Sequence, residues 1–150
     1  MPQSLSHVLI HCVFSTKNRE PFIDDDIEVE LFQYLGGVCN RMECPSLKVG
    51  GYLDHVHVLC SLSRKLPIMD LLEEIKKRSS KWIKGKGDKY AGFYWQTGYA
   101  AFSVDEKTVA SIIQYIENQK THHTGLSFQD ELRSLFKQHG IDWDERYVWD

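Results

Sequence analysis

The sequence lacks the signatures of several protein classes. Its four cysteines, Cys12, Cys39, Cys44 and Cys60, show no Cys-x-x-Cys spacing, which excludes a zinc knuckle and gives no disulfide framework. No apolar run approaches the ~20 residues needed to span a bilayer, and the opening Met1-Pro2-Gln3-Ser4 lacks a basic-then-apolar leader pattern. There is no Gly-x-x-x-x-Gly-Lys phosphate loop, so no nucleotide cofactor is expected. Internal repeats, low-complexity tracts and linkers are also missing. The expectation is one domain, residues 1–150, in a reducing compartment and without a membrane span.

Charge is unevenly spread. The chain carries a net −3, which by itself argues mildly against a polyanion partner. Residues 64–89, however, hold nine basic side chains against four acids, net +5, leaving −8 for the remainder. Such a run is either a solvated face or a local contact for a polyanion.

The apolar pattern changes period along the chain. Residues 5–16 alternate as a strand does. After Pro21, the acids Asp24, Asp25 and Asp26 open a helical pattern through Ile27, Leu31, Tyr34, Leu35 and Val38. A short strand at 47–49 turns at Gly50-Gly51, and a stronger one follows at 55–62. Pro67 suits the first residue of a second helix, with Ile68, Leu71, Leu72, Ile75 and Trp82 as its stripe and Gly85 and Gly87 as its end. A fourth strand is expected over 93–104, interrupted near Gly98. A third helix then starts near Asp105, with Val109, Ile112, Ile113 and Ile116 buried. A last helix, 127–138, leads to an aromatic tail. The order β-α-β-β-α-β with additional C-terminal helices is an α+β, ferredoxin-like (RRM-like) antiparallel sheet, its first and third strands central.

Three constellations carry chemistry. His55 and His57 lie two apart on a strand and so share a face. They are either half of a divalent-metal site or two buried, hydrogen-bonded histidines. Tyr115 and Gln119 lie one helical turn apart beside the isoleucine stripe, with His122 near them. This is a nucleophile with a neutral oxygen ligand, or a boundary tyrosine with its hydroxyl in water. Lys76, Lys77, Arg78 and Lys81 oppose the apolar stripe of the second helix, interleaved with Ser79 and Ser80. They form a phosphate-binding surface or a soluble helix face. His7 and His11 share a strand face and offer a second pair of possible ligands.

Taken in order, the blocks Tyr52-Leu53-Asp54-His55-Val56-His57-Val58-Leu59, Lys-x-x-Ser-Ser-Lys-Trp from Lys76, WQTGYAAFSV at 95–104, YIENQKTHH at 115–123 and GIDWDERYVWD at 140–150 carry a resemblance. The chain resembles the single-tyrosine HUH transposases of small insertion sequences, relatives of the REP-associated tyrosine transposases, over nearly its whole length. The resemblance implies an enzyme that cuts and rejoins single-stranded DNA. His55, His57 and Gln119 would bind Mg²⁺ or Mn²⁺, and Tyr115 would form a 5′-phosphotyrosine. It further implies hairpin-marked DNA ends as the partner, with the basic second helix as contact surface. A homodimer and a cytoplasmic, nucleoid-associated location in a prokaryote complete the implied picture. Weighed against it are a non-catalytic nucleic-acid-binding module on the same fold, and a metal-dependent hydrolase using the His pair, for which no carboxylate triad or third histidine stands at ligand spacing.

Overall fold

A computed structural model describes residues 2–123 and 125–150. Four antiparallel strands, β1 (Leu9–Ser15), β2 (Ser46–Tyr52), β3 (His55–Ser61) and β4 (Ala100–Val104), form one sheet in the order β2-β3-β1-β4. The α+β ferredoxin-like order is therefore present, with β1 and β3 at the centre.

Strand alternation gives this sheet two different faces. Ile10, Cys12 and Phe14 of β1 and Val56, Val58 and Cys60 of β3 belong to a core shared with α1 (Glu28–Arg41) and α2 (Ile68–Lys84). All four cysteines are buried free thiols within it. The other face carries Val13, His55, His57, Ala100 and Phe102, and α5 (Phe128–Gln138) covers it through Phe128, Leu132 and Phe136. Ser127 caps α5, its hydroxyl accepting the Asp130 N–H at 3.1 Å. Trp143, Val148 and Trp149 of the tail pack onto this smaller core. The Glu145 carboxylate fastens the tail by accepting from Arg133, Trp143 and Trp149.

Two expected elements differ. The fourth strand is only Ala100–Val104; residues 93–99 cross as a loop with one isolated bridge, Thr16 to Trp95. Phe93 and Trp95 are buried there as core aromatics, stacked edge-on at 4.7 Å, so their strand-like composition reflects packing. The third helix is divided. A 3-10 turn, Glu106–Thr108, leads into α3 (Val109–Glu117), which ends at Asn118, and a single turn, α4 (Gln119–His122), follows. Of the expected stripe only Ile116 is buried, because α3 meets the edge strand β2 through its last turn while α5 occupies the sheet face.

Gly50 makes that docking possible. A Cβ there would stand 2.7 Å from Ile116 Cγ2 and 2.8 Å from the Ile116 carbonyl oxygen. Gly50→Ala is expected to destabilise the fold by about 1–3 kcal/mol through overpacking. Urea denaturation checks this, and an unchanged midpoint would show that α3 is not seated in the notch.

Candidate active site

The hairpin joining β2 and β3 places His55 at the first residue of β3, opposite Tyr52, and His57 two residues on, opposite Gly50 and Val13. Both imidazoles are fully buried on the face beneath α5. Each ring is held through Nδ1. His55 Nδ1 is 2.8 Å from Asp54 Oδ1, and His57 Nδ1 is 2.7 Å from His11 Nε2. Both Nε2 atoms therefore turn toward the same space, the arrangement that ligand histidines need.

That space holds the carboxylate of Glu131, from α5, buried to 2% exposure. Its Oε1 lies 3.3 Å from His55 Nε2, 3.1 Å from His57 Nε2 and 3.2 Å from His123 Nε2. Its Oε2 accepts the Tyr115 hydroxyl and, at 3.0 Å, the Gln119 amide. Gln119 Oε1 in turn lies 2.8 Å from His55 Nε2. The break at Asn118 matters here, since α4 turns the fully buried Gln119 inward while Tyr115 stays half-buried on α3. His122 stands at the rim, 3.6 Å from Glu131 Oε2.

The electrostatics follow from burial and from this single carboxylate. Burial opposes charge on His55, but Asp54 and Glu131 outweigh it and raise its pKa to about 9. His57 is pushed down by burial, and His11 falls to about 3 through burial and the neighbouring His57 ring. Burial works against ionised Glu131 as well, yet the three imidazoles hold its pKa below the usual carboxylate range. Burial and the Glu131 charge push the Tyr115 phenol above its ordinary value.

His55, His57 and Glu131 each offer one ligand atom, all within 4.8 Å of one another. His123 Nε2 is buried beside them and faces the same Glu131 oxygen. Two imidazole nitrogens, a carboxylate and an amide oxygen suit Mn²⁺ or Mg²⁺. The residues present thus fit a divalent ion.

Sequence reasoning had His55, His57, Tyr115 and Gln119, and the structure brings these four together. It missed Glu131, whose signal was its position inside the apolar stripe formed by Phe128, Leu132 and Phe136. The other histidine pair is divided. His7 is exposed and paired with Glu106 at 2.7 Å, whereas His11 supports His57. The basic residues of α2 lie on the opposite face of the sheet. Lys76 differs from its neighbours there, because its ammonium bonds the carbonyls of Gln96, Thr97 and Gly98 within 3.2 Å. Those bonds take the three hydrogens of an ammonium, and burial lowers its pKa to about 8. Lys77 and Arg78 share Glu74, and Lys81 is exposed.

Fold and site together define an α+β protein with a buried His-His-Glu cluster, whose donors fit a divalent cation, beside a tyrosine. The model of the family described as "Transposase IS200 like" matches residues 4–119. The chain belongs to this transposase family. The ISDra2 transposase TnpA of Deinococcus radiodurans is 27% identical over 116 residues, which cover 73% of this chain and 81% of that protein. The fold is similar to a crystal structure of a putative transposase from the same organism, with TM-score 0.61, 24% identity, and 79% of this chain and 98% of that one covered. It is also similar to a REP-associated tyrosine transposase bound to a REP hairpin, with TM-score 0.58, 14% identity, and coverage of 84% and 76%.

The orientation of His57 gives a direct test. His11→Ala is expected to weaken Mn²⁺ binding about 10- to 100-fold, the usual cost of losing a partner that orients a ligand. His11→Gln, whose amide reaches the place of Nε2, is expected to recover most of it. Titration calorimetry measures both, and equal affinity in wild type and His11→Ala would show that the bond does not orient the ligand.

Proposed function

We propose that this transposase cleaves and rejoins single-stranded DNA at hairpin-marked ends through a phosphotyrosine intermediate, residues 1–150 acting as one HUH domain. The observation that carries the reading is the convergence of Tyr115, Gln119, His55 and His57 on Glu131 within one chain. The solved relative bound to a REP hairpin supports hairpin DNA as the partner class.

In this reading Tyr115 Oη attacks the scissile phosphorus in line with the 3′ oxygen. The new O–P bond leaves a 5′-phosphotyrosine, and the broken P–O bond releases the 3′ oxygen, which takes a proton from water to become a hydroxyl. Glu131 Oε2 already accepts the phenolic hydrogen and marks where that proton goes. An ordinary phenol, with pKa ~10, is ionised in only about one molecule in a thousand at neutral pH, so a defined acceptor matters. His55, His57 and Glu131, with Gln119 beside them, would hold Mg²⁺ or Mn²⁺. When bound, the ion supplies charge neutralisation at the phosphate and the departing oxygen. The phosphotyrosine conserves the phosphodiester bond energy, so rejoining by the reverse attack needs no nucleotide cofactor.

The exposed cations Lys77 and Lys81 of α2, with Arg78 beside them, are the proposed contact for the hairpin backbone. Lys76 braces the 96–98 loop beneath that surface. A homodimer remains part of the proposal, as does action beside the chromosome in the cytoplasm. Among the described residues no helix is long and apolar enough to cross a membrane.

The decisive experiment is a denaturing gel with labelled single-stranded DNA from the hairpin-bearing sequences flanking the gene, with Mn²⁺ or Mg²⁺. A metal-dependent covalent protein–DNA band is expected for the wild type, absent with Tyr115→Phe or with chelator. Tight hairpin binding with no covalent band in either metal would leave a non-catalytic binding module. A second experiment tests the surface. Replacing Lys77 and Lys81 together by Ala should weaken hairpin binding at every sequence and lower the slope of log K against log salt by about 1–2. An unchanged slope would move the hairpin off α2.

A further inference from the structure

A cleft of about 550 Å³ beside Tyr115 opens between α3 and α5. Ser111, Ile112 and Tyr115 form one wall, and Leu135, Gln138 and His139 form the other. Its floor is Phe102 of β4 with His11, and His139 stacks on Phe102 at 4.5 Å. The volume falls within the range of small-ligand pockets and leaves room for a single nucleoside.

The lining chemistry separates the parts of a nucleotide. No lysine or arginine borders the cleft, and Asp105 does. A phosphate there would meet a carboxylate instead of a cation, so the DNA backbone is disfavoured. A flat, neutral heterocycle finds apolar surface on Val104, Ile112 and Leu135 and neutral hydrogen-bonding groups on Ser103, Thr108 and Ser111. Asp105 Oδ1 accepts the Lys107 N–H at 3.0 Å and so caps the turn before α3. A carboxylate beside a base accepts hydrogen bonds from its amino group, as aspartate does from cytosine N4.

Position identifies which nucleotide is in reach. Resting on the function proposed above, attack by Tyr115 bonds its oxygen to the phosphate of the nucleotide on the 3′ side of the break. That nucleotide becomes tethered to a residue of the cleft wall. We infer that the cleft receives the base of this nucleotide and that Asp105 favours bases bearing an amino group over thymine.

The test uses four hairpin-bearing oligonucleotides from the sequences flanking the gene, differing only in having A, C, G or T at that position. Covalent adduct formation is followed in Mn²⁺ and binding by fluorescence anisotropy. The wild type is expected to react with thymine about 5-fold more slowly than with the other three. Asp105→Asn keeps a capping side chain but removes the anionic acceptor, and should bring thymine level. Ser111→Trp fills the cleft from an exposed position and should weaken binding of all four about 10-fold, with circular dichroism confirming that each variant is folded. Equal rates for all four bases in the wild type, or an unchanged preference in Asp105→Asn, would overturn the inference. Absence of any Tyr115 adduct with all four would overturn the proposed function and this inference with it, and the gel distinguishes that result from equal rates.

Discussion

One buried carboxylate organises the molecule's chemistry. Glu131 is the meeting point of side chains from β3, α3, α4 and the segment that follows α4. Removing an ionised carboxylate from water costs several kcal/mol unless partners replace the solvent. Here His55, His57, Tyr115 and Gln119 replace it, and the charge in turn fixes their states. Against burial it joins Asp54 in raising the His55 pKa, and it adds to burial in raising that of the Tyr115 phenol. In the proposed reaction the Tyr115 hydroxyl thus already stands at the site, bound to a carboxylate that a cation would also share.

The sheet decides what surrounds this centre. With a side-chain period of two, β3 sends Val56, Val58 and Cys60 into the α1–α2 core and His55 and His57 to the α5 side. Polar chemistry is thus separated from the larger hydrophobic core by the thickness of the sheet itself. Each imidazole also has its own anchor, an anionic one for His55 in Asp54 and a neutral one for His57 in His11. Asp54 adds to Glu131 in raising the His55 pKa against burial, whereas burial, with the His55 and His123 rings, lowers that of His57.

Much of this was legible from residue patterns. The strand at β1 and β3, the helices α1 and α2, and the sheet order follow from hydrophobic period and turn residues, which act locally. The shared face of His55 and His57 follows from the same rule. Glu131 was only faintly legible, from its place within the apolar stripe of α5, because one acid in an amphipathic helix also fits a solvated turn and docking of α5 is what reveals its burial. The division of the third helix was hidden for a related reason. Asn118 is tolerated within a helical pattern, and the pull of Gln119 toward His55 is a tertiary contact. Charge counting likewise placed Lys76 with its neighbours, although three carbonyls of a loop distant in sequence hold it.

The tyrosine helix meets the sheet at its edge, through its last turn. α3 contributes one fully buried side chain, Ile116, seated against Gly50, while Tyr115 reaches the centre through its hydroxyl. By contrast, His55 and His57 sit on a central strand, and α5 is fixed by its own apolar core. On the proposed function, ligands on rigid elements and a nucleophile on a separate helix follow one physical logic. Ligand geometry would be set before an ion arrives, whereas the attacking oxygen would exchange a carboxylate partner for a phosphorus atom. The notch at Gly50 and the Lys48–Glu117 ion pair at 3.2 Å seat α3 on β2, while the Tyr115 hydroxyl has a single carboxylate to exchange, so that exchange would leave the sheet undisturbed.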